Sequence, residues 1–80
     1  MNTEQENRIV EIFSQVLEIP SDEIVDTVAL NDNPSWDSLR HLQLVSELET
    51  EFGIELELDD IYSMTNLGMV RKVVNKYLEK

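Results

Sequence analysis

Asp37, Ser38 and His41 are the residues of this chain whose types and spacing could do chemistry. A serine hydroxyl, an imidazole and a carboxylate have the composition of a hydrolytic triad. Positions three apart on a helix are neighbours, so Ser38 and His41 would meet if the segment is helical. Ser38 alone admits two readings. At a helix start it could simply help cap N–H groups, as polar residues there commonly do. An exposed serine beside unpaired N–H groups and the positive end of a helix dipole is also well placed to carry a phosphodiester. His41 admits three readings: a structural histidine in the first turn, hydrogen-bonded for instance to Asp37; a modulator of a group carried on Ser38; or a base that activates Ser38.

Composition removes most other chemistries. The chain has 80 residues, no cysteine and a single histidine. Disulfide frameworks, cysteine nucleophiles and zinc sites built on Cys or several His are excluded. Eighty residues make one domain, and a domain of this size is not expected to hold a deep active-site cleft. Six bases against seventeen acids give a net charge of −11, which argues against nucleic acid and anionic membranes as partners. Residues 1–36 and 37–60 each carry eight acids and one base, whereas residues 61–80 carry four bases and one acid. No apolar run approaches the roughly 18 residues of a membrane span, and the N-terminal residues do not form a signal peptide. The expectation is a soluble, cytoplasmic, monomeric domain without membrane insertion. The run Asn31-Asp32-Asn33-Pro34-Ser35-Trp36-Asp37 superficially suggests a calcium loop. The EF-hand pattern needs Gly at its sixth position and Glu at its twelfth. Counting from Asn31 these are Trp36 and Leu42, and from Asp32 they are Asp37 and Gln43, so no metal site is expected.

The elements that must position Ser38 are helical. At about 100° per residue, Ile9, Ile12, Phe13, Val16 and Leu17 share one arc with Val10 at its edge, giving a first helix over residues 4–19 ended by Pro20. Residues 20–36 lack a regular period. Ser21-Asp22-Glu23 reads as an N-cap opening a short turn, Ile24, Val25, Val28 and Leu30 as anchors to the core, and Asn31-Asp32-Asn33-Pro34 as turn chemistry. So long a connection in a small domain is often functional. A second helix runs from Ser38 to Phe52, capped by Asp37 and stopped by Gly53. Its core face is Leu44, Val45, Leu48 and Phe52, and Leu48 and Phe52 are expected to pack against Phe13, Val16 and Val74. Leu42 lies at the rim of that face and Leu39 outside it. Ile54–Leu58 alternates with period two but has no partner strand, so it reads as an extended connection with Leu56 inward. A short helix over residues 60–64, capped by Asp59 or Asp60, and a last helix over residues 67–79, capped by Thr65 or Asn66, complete the chain. Leu67, Val70, Val74, Tyr77 and Leu78 form the apolar arc of the last helix. The expected fold is a small all-α four-helix bundle of three longer helices and one short one, with a long loop between the first two.

Trp36-Asp37-Ser38-Leu39, followed by Leu42, Leu44-Val45, Leu48-Glu49 and Glu51-Phe52, resembles the acyl carrier protein family. The resemblance covers the whole chain, residues 1–80, as one carrier domain. It implies that Ser38, flanked by Asp37, bears 4′-phosphopantetheine, whose thiol holds acyl groups as thioesters. It implies a carrier rather than an enzyme, served by a phosphopantetheinyl transferase and by acyl-loading and acyl-transferring enzymes. Leu39, Arg40, Leu42, Glu47 and Glu49 are then the expected partner contacts. Two departures stand out. Ser35 occupies a position where the family often has glycine, and Arg40-His41 stand where primary fatty-acid carriers have an acid and a small polar residue. These weaken the acidic docking face near Ser38 and favour a specialised pathway (polyketide, lipid or saccharide-modifying) over fatty-acid synthesis. The alternatives are an aminoacyl or peptidyl carrier, and an acidic helical interaction module that carries no pantetheine.

Overall fold

Three of the helices begin where a side chain can accept the N–H groups that a first turn leaves over. In the computed structural model, which describes residues 2–30 and 34–79, helix α1 spans Thr3–Leu17 behind a capping box. Asn2 accepts the Gln5 N–H at 2.8 Å, and Gln5 accepts the Asn2 N–H at 3.0 Å. Asp37 opens α2, Ser38–Phe52, by accepting the Arg40 N–H at 2.9 Å. Asn66 opens α4, Leu67–Leu78, by accepting the Met69 N–H at 2.8 Å. The short α3, Leu58–Ser63, follows Glu57 without a side-chain cap. Among the described residues the bundle is therefore all-α with three longer α-helices and one short one.

The boundaries differ from expectation in instructive ways. Helix α1 stops at Leu17, two residues before the expected end. Glu18 adopts the left-handed conformation (φ 58°), so the chain has turned before Pro20 is reached. Helix α3 starts two residues earlier than expected because Asp60 is not a cap. Its carboxylate instead accepts Lys76 Nζ at 2.7 Å and Tyr77 Oη at 2.6 Å from α4, and Tyr77 Oη accepts the Glu57 N–H at 2.9 Å. Those hydrogen bonds with Asp60 raise the Lys76 and Tyr77 pKa values from their ordinary positions. The segment Ser21–Glu23 is a single 3₁₀ turn without a side-chain cap.

One core joins the elements. Ile9, Phe13 and Leu17 of α1, Leu44 and Leu48 of α2, Met64, and Leu67, Val70 and Val74 of α4 are fully buried. Val16 and Phe52 are partly buried against them, as are Tyr77 and Leu78. Val73 is a buried member of α4 outside the expected arc, and Leu56 points inward as expected. The loop between α1 and α2 is tied to the start of α4. Leu30 N–H donates to Thr65 O (2.9 Å), Leu67 N–H donates to Val28 O (3.0 Å), and Ala29 and Asn66 form an isolated bridge. Ile24 anchors this loop in the core, whereas Val25, expected to do the same, is exposed. Residues 31–33 of the turn expected at Asn31-Asp32-Asn33-Pro34, which also begin the calcium-like run, lie outside the described residues, and Pro34 is in a turn. Among the described residues no group of acids and histidine is arranged to hold a metal ion, and no helix is long and apolar enough to cross a membrane.

Candidate functional site

The site is built by the start of α2. The Asp37 cap fixes the first turn, so Ser38 stands at the first helical position with its side chain exposed. The earliest N–H groups of the helix have no intrahelical acceptor, and the positive end of the α2 dipole lies here. Behind Ser38, α2 and α3 bound a cleft of about 360 Å³. It is lined by Ser38, Leu30, His41, Leu42, Leu58, Ile61 and Tyr62. Leu39, Leu42, Leu58 and Tyr62 are all more than 60% exposed, so an apolar surface surrounds the serine.

His41 is not a base for Ser38. Both its ring nitrogens are occupied elsewhere: Trp36 Nε1 lies 3.1 Å from Nδ1, and Ile61 O lies 2.9 Å from Nε2. An indole N–H can only donate, so Nδ1 accepts and the ring proton sits on Nε2, which donates to the Ile61 carbonyl. The contact with Asp37 is through the backbone only, His41 N–H to Asp37 O at 2.9 Å. His41 is the structural first-turn histidine, and the triad is not assembled.

Trp36 is the residue that sequence reasoning missed. It is fully buried, packs edge-to-face on Phe13 with ring centroids 5.1 Å apart, and stacks on His41 at 5.9 Å. The signal was available. Trp36 precedes the N-cap and His41 is the fourth helical residue, the spacing of a hydrophobic staple.

Two expected partner contacts are engaged inside the molecule. The Arg40 guanidinium does not stand beside Ser38. It donates to Val16 O (2.6 Å) and reaches Glu18 (3.3 Å), closing the negative end of α1. Glu49 accepts the Leu56 N–H at 2.8 Å and holds the connection to α3. Glu47, Leu39 and Leu42 remain exposed on α2. Arg40→Ala is expected to lower stability by about 1 kcal/mol, because a charged donor on a helix-terminal carbonyl is lost from a half-exposed position. Urea unfolding checks this, and an unchanged midpoint would show that the α1 terminus does not need the clamp.

The family model for the phosphopantetheine attachment site matches residues 7–74. The chain belongs to the acyl carrier protein family. This carrier is 30% identical over 66 residues to an acyl carrier protein of Saccharopolyspora erythraea, covering 82% of this chain and 70% of that one. It is 28% identical over 76 residues to a polyketide-8 synthase acyl carrier protein 1 of Streptomyces avermitilis, covering 95% and 90%. Its fold matches the solution structure of a holo acyl carrier protein from Geobacter metallireducens with a TM-score of 0.80 and 30% identity. That match covers 91% of this chain and 84% of the other. The prosthetic group of this carrier is 4′-phosphopantetheine, the product of a phosphopantetheinyl transferase, and its function is to hold acyl groups on that arm for acyl-processing enzymes. The residues fit that group. An exposed hydroxyl is available for a phosphodiester at a helix start, and an apolar cleft adjoins it.

Proposed function

We propose that Ser38 is the attachment residue and that α2 is the face its partner enzymes engage. The observation that carries this reading is the exposed Ser38 side chain at the first position of α2, bordering the cleft. The arm supplies a terminal thiol that carries the acyl group as a thioester, a function this cysteine-free chain cannot supply itself. The chain's own residues do the rest. Asp37 holds the first turn in register by accepting the Arg40 N–H. The positive end of the helix favours the phosphodiester charge. Leu39 and Leu42 offer apolar contact beside the serine, and Glu47 offers charge that steers a basic partner surface. Arg40 and Glu49 act inside the fold and are left out of this contact set.

Service in a specialised pathway is supported by similarity to the polyketide-8 synthase carrier and by Ser35-Trp36 in the segment before Asp37. The experiment for the attachment residue is intact mass after incubation with coenzyme A and a broad-specificity phosphopantetheinyl transferase. The parent is expected to gain one phosphopantetheinyl unit and Ser38→Ala none. The alanine variant should keep its helical circular dichroism, since an exposed substitution changes stability by only about 0.5 kcal/mol. A mass gain on the alanine variant, or none on the parent, would refute the assignment.

A further inference from the structure

Resting on the reading that Ser38 carries the arm, we infer that His41 is a positioning residue for its attachment. It fixes α3 against the start of α2 and so sets the surface that a transferase meets around Ser38. Helix α3 is poorly equipped to place itself. It has six residues, no side-chain cap and no buried residue, and so short a helix is not stable alone. Ile61 packs partly buried against the core, and Met64 anchors the chain just beyond the helix. Polar ties on two flanks supply the rest. On one, Asp60 accepts from Lys76 and Tyr77 of α4. On the other, His41 Nε2 donates to the Ile61 carbonyl. The Trp36 indole donates to Nδ1 and so holds the ring in the tautomer that makes this bond.

The tie bears on arm attachment through its place. Ser38 and His41 are one turn apart on α2, and Ser38, Leu42, Leu58 and Tyr62 border one recess. Leu42 belongs to α2, Leu58 and Tyr62 to α3, and all three are exposed. An enzyme that seats beside Ser38 therefore touches both helices, and the spacing between them is part of what it recognises. With the His41 bond lost and the α4 tie intact, α3 draws away from α2 while the bundle stays folded. The Asp37 cap still holds the Ser38 turn. Enzyme binding then weakens, because part of the population lacks the competent surface. The chemical step at the Ser38 hydroxyl is unchanged.

The test measures arm transfer to the full chain by a broad-specificity phosphopantetheinyl transferase at saturating coenzyme A. All variants are compared where circular dichroism shows them folded. His41→Phe keeps a ring against Trp36 and loses both hydrogen bonds. Its KM for the transferase is expected to rise about fivefold, the population change that one hydrogen bond brings. Its kcat should stay within about twofold of the parent, the signature of lost binding rather than lost chemistry. His41→Gln offers a donor for Ile61 and an acceptor for Trp36, and should restore the parental KM. Ile12→Val trims the core on α1, lowers stability without touching the tie, and should keep the parental KM. His41→Leu is the second variant should His41→Phe not fold. A folded His41→Phe or His41→Leu with the parental KM overturns the inference. So does a loss confined to kcat, an equal rise in Ile12→Val, or a rise that His41→Gln does not reverse. In nuclear magnetic resonance spectra of the parent, the His41 Nε2 proton should exchange slowly with water, and free exchange overturns the inference without any variant. Absence of any mass gain on the parent removes the Ser38 reading and this inference with it. A mass gain with a parental KM in the folded variants removes this inference alone.

Discussion

Trp36→Ala is expected to cost about 3–5 kcal/mol, the usual range for emptying a buried aromatic site. The indole is fully buried, contacts Phe13 edge-on, and donates to His41 Nδ1. The alanine variant therefore opens a cavity and also removes the hydrogen-bond donor to the His41 Nδ1 atom. A domain of this size has a total stability at the low end of about 5–15 kcal/mol, so the variant should be largely unfolded at modest urea concentrations. Trp36→Phe keeps most of the packing and isolates the hydrogen bond, and should cost clearly less. The check is the urea midpoint at unchanged slope by circular dichroism. A Trp36→Ala midpoint within error of the parent would show that the loop before Ser38 is not part of the core.

Leu48→Ala and Leu39→Ala should separate sharply although both replace a leucine on the same helix. Leu48 is fully buried in the cluster that joins α1, α2 and α4. Its truncation is expected to cost about 2–5 kcal/mol. Leu39 is 67% exposed, and its truncation should change stability by no more than about 0.5 kcal/mol. The loss for Leu39→Ala should appear instead in the turnover of a partner enzyme, since the side chain borders the proposed attachment residue. Equal destabilisation by the two variants would mean that Leu39 is packed in solution.

Much of this was legible in the sequence for identifiable reasons. The 3.6-residue periodicity of Ile9, Ile12, Phe13 and Leu17 and the cap signals at Asp37 and Asn66 are local. They gave the helices and the exposure of Ser38 and Leu39 directly. Gly53, with φ 63°, likewise ended α2 where a left-handed residue was needed. What escaped were contacts between residues far apart in the chain. Arg40 finds Val16 O across 24 positions, and Asp60 finds Tyr77 across 17. No period or spacing signals such pairs, so Arg40 read as a surface charge and Asp60 as a cap. Helix α1 ended early because Glu18 took a left-handed conformation that usually favours Gly or Asn. The burial of Trp36 is the exception, because the staple spacing to His41 was local and went unused.

The chain contains one tryptophan. That residue lies two positions before Ser38, is sealed from water and rests against an imidazole ring. Its ultraviolet emission is therefore a built-in optical probe of the segment that delivers the serine. No extrinsic label is needed to follow the site during unfolding, arm attachment, cargo loading or partner docking. A sealed indole emits at shorter wavelength than a wet one, so each of those events can be followed by colour as well as intensity. The two tyrosines, Tyr62 and Tyr77, lie on α3 and α4, so selective excitation of the indole confines the signal to the loop ahead of α2.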